Sequence, residues 1–207
     1  MANPAHLAIV LKGRHGVSSW LSKNPEARID LSNANLEGTN LSGVNLSGVR
    51  PDESISKAGK NLPLSEQIAR VERRAATLAG ANLRDANLSY AVLIGTDFTG
   101  ADLTSADFTD AVFSDSLGLS AANFADATLE NIGWISASTI DSGHPFLELA
   151  MSRGLETAKG AWVKEYIERC LAYLHDTPSR GLPDANPEWL QQAIYRVHDL
   201  ARSFRIR

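Results

Sequence analysis

The sequence predicts a mainly β fold with α-helix at its ends: a column of stacked five-residue faces, then a helical C-terminal region. Three observations predict it. From Leu78 to Phe113 a Leu or Phe returns at every fifth position, through Leu83, Leu88, Leu93, Phe98, Leu103 and Phe108. Two places before each stands a small residue, Ala76, Ala81, Ala86, Ala91, Thr96, Ala101, Ala106 or Ala111. One place before most of them stands a short polar residue: Thr77, Asn82, Asn87, Asp97, Asp102 and Asp107. This A-N/D-L-x-x frame matches neither the helical period of about 3.6 nor the alternation of a flat strand. It matches a repeat architecture whose unit is one short extended face and a corner. The large residue and the small one two places earlier point the same way within a face, and only small side chains fit beside a Leu/Phe stack. Asn and Asp hydrogen-bond nearby backbone and tolerate tight turns, which suits the corners.

These residues resemble the pentapeptide-repeat family, and the resemblance covers about half the chain. It implies a right-handed quadrilateral β-helix with four faces per coil, the Leu/Phe and small residues inward and the other three positions facing solvent. The centres form three runs, Leu31 to Leu46, Leu78 to Phe113 and Leu119 to Trp134. Sixteen faces make about four coils, a prism ~19 Å tall at ~4.8 Å per coil. The step from Leu46 to Leu78 is 32 residues, so an insert of about residues 49–75 loops out. The step from Phe113 to Leu119 is six, so one residue near Ser116 is extra. Eight faces, two full coils, separate the two interruptions, and both are expected on one edge of the column.

In chain order, residues 1–28 read as an N-terminal capping segment. Two short helices are expected, over His6–Leu11 and Val17–Leu21, the second ending before Pro25. A solenoid's first coil exposes an end that invites pairing unless covered. Trp20 and Leu21 are the candidates for that plug, with a ligand-binding Trp20 as the sharper reading. The column spans 29–136 and contains the insert. Within the insert Ser65 to about Ala76 reads as a helix, Ser65 being its N-cap. Glu66, Arg70, Arg73 and Arg74 on its polar sides are the candidate partner-binding residues. A helix that short is marginal alone in water, so it docks on the column or awaits a partner. Its interleaved Glu residues argue against a nucleic-acid contact.

Residues 137–207 read as a helical C-terminal subdomain: a short helix over Pro145–Arg153, a longer one over about Glu156–His175, and a last one opening at Asn186-Pro187. Leu190, Ile194, Val197 and Phe204 make an apolar stripe on the last helix. It is expected to cap the open coil, to form a homodimer, or both. The single cysteine, Cys170, excludes an intramolecular disulfide and any multi-Cys zinc site, and buried packing is expected for it.

No catalytic or dinucleotide motif appears, the five histidines are scattered without metal-ligand spacing, and no cofactor is implied. Asp97, Asp102 and Asp107 fall on successive faces and cannot converge as an acid/base pair. The expectation is therefore not an enzyme but a protein–protein interaction scaffold. Outside the insert the coils from Asp30 to Ile135 hold ten acidic residues and one basic one, Arg84, a formal −9. Asp97, Asp102, Asp107, Asp110 and Asp115 form the acidic column face. Some pentapeptide-repeat proteins mimic DNA and bind type II topoisomerases such as gyrase, protecting them from inhibitors. The alternative implied by the resemblance is such a mimic, although the predicted column matches only about five or six base pairs at ~3.4 Å each. Direct nucleic-acid binding is disfavoured, because phosphates would meet this acidic face. The N-terminal apolar run Leu7–Leu11 is too short for a secretory signal or a membrane span, so a cytoplasmic protein without a membrane partner is expected.

Overall fold

The computed structural model describes residues 2–47, 73–113, 116, 118–134, 147–176 and 187–206. Four helices frame the column among them: α1 (Pro4–Val10), α2 (Gly13–Lys23), α3 (Ala161–Asp176) and α4 (Pro187–Ser203). The faces pair through parallel bridges that line up in four ladders. The first is Asp30–Thr77–Asp97, and the second Asn35–Asn82–Asp102–Asn123–Arg153. The third is Asn40–Asn87–Asp107–Thr128–Lys159; the fourth runs Asn45–Val92–Val112 and on to Gly133. From Thr77 to Asp97 is one return of 20 residues, and from Asp102 to Asn123 one of 21 because of the extra residue before Leu119. Rungs that lie between two tiers are held by backbone bonds to both; Leu83 N–H donates to Asp102 O (2.7 Å), and Asn82 N–H to Ala34 O (2.9 Å).

Continuous strand is scarcer than a mainly β reading implies. Only β1 (Val112–Phe113) and β2 (Gly133–Trp134) pair as a two-stranded parallel sheet. The reason lies in the repeat: each five-residue face spends two residues turning a corner. At most corners the residue three after the centre donates back to the centre's carbonyl, as Ala86 N–H does to Leu83 O (3.1 Å). The residue two after the centre has positive φ at twelve corners: Asn33, Gly38, Gly43, Gly80, Asp85, Tyr90, Gly95, Gly100, Ser105, Asp110, Asp126 and Asn131. That is the requirement of a type II turn at its third residue. The Asn or Asp before the centre has a different task. It stands on the bridge and accepts from the amide two residues on: Asn82 Oδ1 from Arg84 N–H (3.1 Å), Asp102 Oδ1 from Thr104 N–H (3.1 Å), Asp107 Oδ1 from Thr109 N–H (2.9 Å).

The interior is solid hydrocarbon. The centres from Leu31 to Phe113 and the alanines two places earlier are buried, as are Leu119, Phe124 and Leu129. Phe98, Phe108, Phe113 and Phe124 stack at centroid distances of 5.2 to 5.9 Å. Thr96 takes one small-residue position and its hydroxyl donates to Leu46 O (3.3 Å). The lower end is plugged by the N-terminal helices through Val10, Val17 and Leu21, with Trp20 half-buried. His6 secures this plug: its Nδ1 accepts the N–H of Asp30 (3.0 Å) on the first tier, and its ring meets Trp20 edge-on at 5.2 Å.

The expected common edge is observed. The insert begins beyond Asn45–Leu46 and the six-residue step beyond Val112–Phe113, and Asn45, Val92 and Val112 share the fourth ladder. The insert helix expected over Ser65 to about Ala76 lies outside the described residues except at 73–76, where Arg73 and Arg74 are helical and Ala75 and Ala76 are not.

The ladder runs past residue 136, where the fivefold pattern stops. Arg153 pairs with Asn123 and Lys159 with Thr128. Ser152-Arg153-Gly154 and Ala158-Lys159-Gly160 thus lie on Ala122-Asn123-Phe124 and Ala127-Thr128-Leu129, with glycine in the place of the large centre. A Cβ at Gly154 (φ +75°) would strike the backbone of Ala125, and one at Gly160 the carbonyl of Leu129. Consequently the helix expected from Glu156 begins only at Ala161: Leu155–Thr157 is a 3-10 turn and Lys159 is committed to the ladder. The short helix expected over Pro145–Arg153 likewise closes as a 3-10 turn, Leu149–Met151, before Arg153 joins the ladder.

Candidate functional site

Asp97, Asp102 and Asp107 turn outward on three successive ladders, but their oxygens are engaged. Each binds the amide and hydroxyl of the threonine two residues on, with Thr99, Thr104 and Thr109 Oγ1 at 2.7, 2.5 and 2.6 Å. Asp97 also accepts from Thr77 Oγ1 (3.2 Å) and lies 4.0 Å from Arg28; Asp102 pairs with Arg84 (3.4 Å) and accepts from Asn123 Nδ2 (3.2 Å). Burial works to raise the Asp102 pKa, but the Thr104 and Arg84 bonds outweigh it and hold it below the usual carboxylate value. Asp30 is lowered chiefly by the Ser32 amide and hydroxyl. Asp110 differs: its backbone stands at a corner (φ 57°), and its carboxylate has no hydrogen bond or ion pair among the described residues. Asp115 lies outside the described residues. The three engaged carboxylates therefore belong to the turn chemistry of the column as much as to its surface charge.

Of the insert candidates, Glu66 and Arg70 lie outside the described residues, and Arg73 is exposed. Arg74 is a correction. Its side chain is 3% exposed and pairs with Glu26 at 3.5 Å. It ends the insert's helical turn, two residues before Ala76 rejoins the column, and its guanidinium ties the insert's return to the N-terminal segment rather than facing a partner.

At the upper end Phe113, Phe124, Leu129, Ile132, Leu149 and Trp162 close around one apolar recess. Trp162 stacks on Tyr166 (5.2 Å, 13°), and the Tyr166 oxygen accepts the N–H of Ala150 (3.0 Å). Cys170 is buried beside it, as expected; burial pushes its thiol up to about 12, outweighing the Tyr166 hydrogen bond, and burial likewise raises the Tyr166 phenol well above its usual value. Helix α4 is latched by Arg196, whose guanidinium donates to Ala150 O (3.3 Å), Ser152 O (3.1 Å) and Glu156 Oε2 (2.6 Å). Of the α4 stripe, Val197 is fully buried within its own chain, a correction to its place among dimer candidates; Leu190, Ile194 and Phe204 are half-buried. Val197 packs inward because Ala193, Val197, Leu200 and Ala201 form the buried side of the helix.

Sequence reasoning did not find His6, Arg196 or the Gly154 and Gly160 tier. For the last a signal existed: small-x-Gly recurs six residues apart, at Ser152–Gly154 and Ala158–Gly160, beyond the end of the repeats. No cluster of His, Cys, Asp and Glu suited to a metal ion occurs among the described residues, and none of their helices is long and apolar enough to cross a membrane.

This arrangement, a periodic interior with turn-capping side chains outside, is that of a repeat solenoid. The family model described as pentapeptide repeats matches residues 27–50 and 76–115 in eight copies, so these two stretches are similar to pentapeptide repeats, whose proteins fold as right-handed β-helices. Among solved structures it is similar to alr5209 of Nostoc Pcc 7120, at 20% identity over 63% of this chain and 93% of that one, with a TM-score of 0.29. It is also similar to Rfr23 of Cyanothece 51142, at 21% identity, 65% of this chain and 57% of that one, TM-score 0.27, so it spans little more than half of that protein. QnrB1, described as a plasmid-mediated fluoroquinolone resistance protein, shares 17% identity over 69% of this chain and 66% of its own, TM-score 0.23. No curated protein matches the chain.

Proposed function

We propose that this protein is a non-catalytic, cytoplasmic scaffold for protein–protein interaction, built on a four-sided column of about four regular coils. One observation carries the reading. The column's interior is filled by Leu, Phe and Ala, and its outward Asn and Asp side chains are spent on turns and ladders. What such a molecule offers is a rigid exterior. Fold alone does not choose the partner. The test is a pull-down comparing the full chain with a deletion of residues 50–75: loss of a captured partner on deletion supports the arm as its contact, and no partner for the full chain contradicts the scaffold.

The formal −9 of the coils favours a second reading, a DNA mimic acting on a type II topoisomerase. Added to a gyrase supercoiling assay, a mimic inhibits or protects against a quinolone at micromolar concentration; absence of both effects removes this reading. Self-association through α4 is a further part of the proposal, with Leu190, Ile194 and Phe204 its half-buried contacts. Light scattering after size exclusion reads twice the 22.3 kDa chain mass if they pair, and a monomer at high concentration contradicts it.

A further inference from the structure

We propose that the corner formed by Tyr90 and Asp110 is a contact site for another protein, which meets it with an arginine flanked by apolar side chains. This rests on the scaffold reading and names where on the column a partner binds.

Eleven of the twelve positive-φ corners are filled by Gly, Asn, Asp or Ser. Tyr90 (φ 58°) is the exception. A left-handed backbone crowds Cβ against the next carbonyl, a cost that Gly avoids and that Asn and Asp offset by local hydrogen bonds. A tyrosine has neither relief. Nor does its side chain gain anything inside the molecule: it is 62% exposed and makes no ring contact or hydrogen bond among the described residues. An outlier held without local compensation is where a functional reason is sought.

The surroundings specify the chemistry. Tyr90 N–H donates to Thr109 O (2.9 Å), which puts Asp110, with its free carboxylate, beside it on the next tier. On the other side of the corner the fourth ladder departs from the repeat: Val92 and Val112 replace the usual Asn or Asp, Ile94 follows, and all three are half-buried. From the second to the fourth tier of the third ladder no basic residue occurs. Among the described residues, the stem of Arg14 lies near Gly43 on the first tier, one tier below Tyr90. An aromatic face, an unpaired carboxylate one tier away and a short apolar strip suit a planar guanidinium, which stacks on the ring while pairing with the acid. Exposed Tyr beside an apolar strip is also the composition of an interface anchor.

The experiment titrates the 15N-labelled protein with the peptide acetyl-Val-Arg-Val-Arg-Val-amide and with its Glu counterpart. The proposal expects saturable shifts at the Tyr90, Val92, Asp110 and Val112 amides with the Arg peptide alone. Tyr90→Asn weakens binding by about tenfold or more, Tyr90→Phe retains it, and Asp110→Asn weakens it. The thermal midpoint of Tyr90→Asn stays level or rises, since asparagine suits the backbone better. No saturable shifts, shifts centred elsewhere, equal binding by Tyr90→Asn, or a lowered midpoint for that variant each overturn the proposal. In the pull-down above, a partner captured equally well by Tyr90→Asn overturns the corner while leaving the scaffold standing.

Discussion

Asp102 illustrates how one side chain holds a corner. Oδ1 binds the amide and hydroxyl of Thr104, while Oδ2 takes Arg84. Asp102→Ala removes all three together with the bond from Asn123 Nδ2, and because the site is partly exposed the loss is about 0.5–1.5 kcal/mol, read as a lower urea midpoint with an unchanged slope. Asp102→Asn keeps the turn bonds and loses less. The same bonds fix a pH dependence. Asp30, Asp102 and Glu156 are all held below their ordinary values, 3.8 for Asp and 4.5 for Glu. On acidification the unfolded chain therefore takes up these protons first. Their contribution is whole above the ordinary values and is lost as pH falls through the lower folded ones. The thermal midpoint is expected to stay level down to about pH 5 and to fall below pH ~4, and no loss there would contradict these assignments. The legibility of the residue scale was uneven. The Leu/Phe and Ala positions could be read because their period is a property of the chain alone. The division between a capping Asn/Asp before the centre and a left-handed residue after it could not, because both positions favour the same residue types. His6 and Arg74 were hidden for another reason: each gains its role from a partner distant in sequence, Asp30 and Glu26 respectively.

At the scale of elements, the ends of the column do the most to separate this chain from a plain repeat. Helix α4 is fixed to the last tier by Arg196, so Arg196→Ala is expected to lower stability by about 1–3 kcal/mol, and Arg196→Lys, which loses the fork geometry, to recover little of it. A sensitive check is the Cys170 thiol. Buried and shifted to about 12, it should stay unreactive toward a disulfide reagent in the native protein. Measurable labelling in Arg196→Ala under native conditions would report the cap opening; equal protection in both proteins would show that the latch does not hold it. Gly154→Ala tests the tier beneath. A Cβ there meets backbone from a residue in the left-handed region, so the cost exceeds that of the conformation alone. This tier was overlooked in sequence because glycine erases the large centre by which the repeat is recognised, and because the spacing had changed from five to six. The helices α1, α2 and α4 were legible by contrast, since the proline and apolar spacing that mark them are local.

For the whole molecule, the claim is that stability comes from one continuous stack of large side chains with small ones between them, leaving the exterior free for recognition. Phe108 touches Phe113 and Phe124 within that stack. Phe108→Ala is expected to cost about 3–5 kcal/mol, more than any surface change on the column. The most direct test is a thiol accessibility scan in a Cys170→Ala background. Cysteine is placed singly at Gly100, Ala101, Ser105, Ala106, Asp110 and Ala111, and labelling is timed under native conditions. The account predicts slow labelling at 101, 106 and 111 and fast labelling at 100, 105 and 110, a repeat of five with the small residue always inside. Fast labelling at 101, 106 and 111 while 105 and 110 are protected would contradict it.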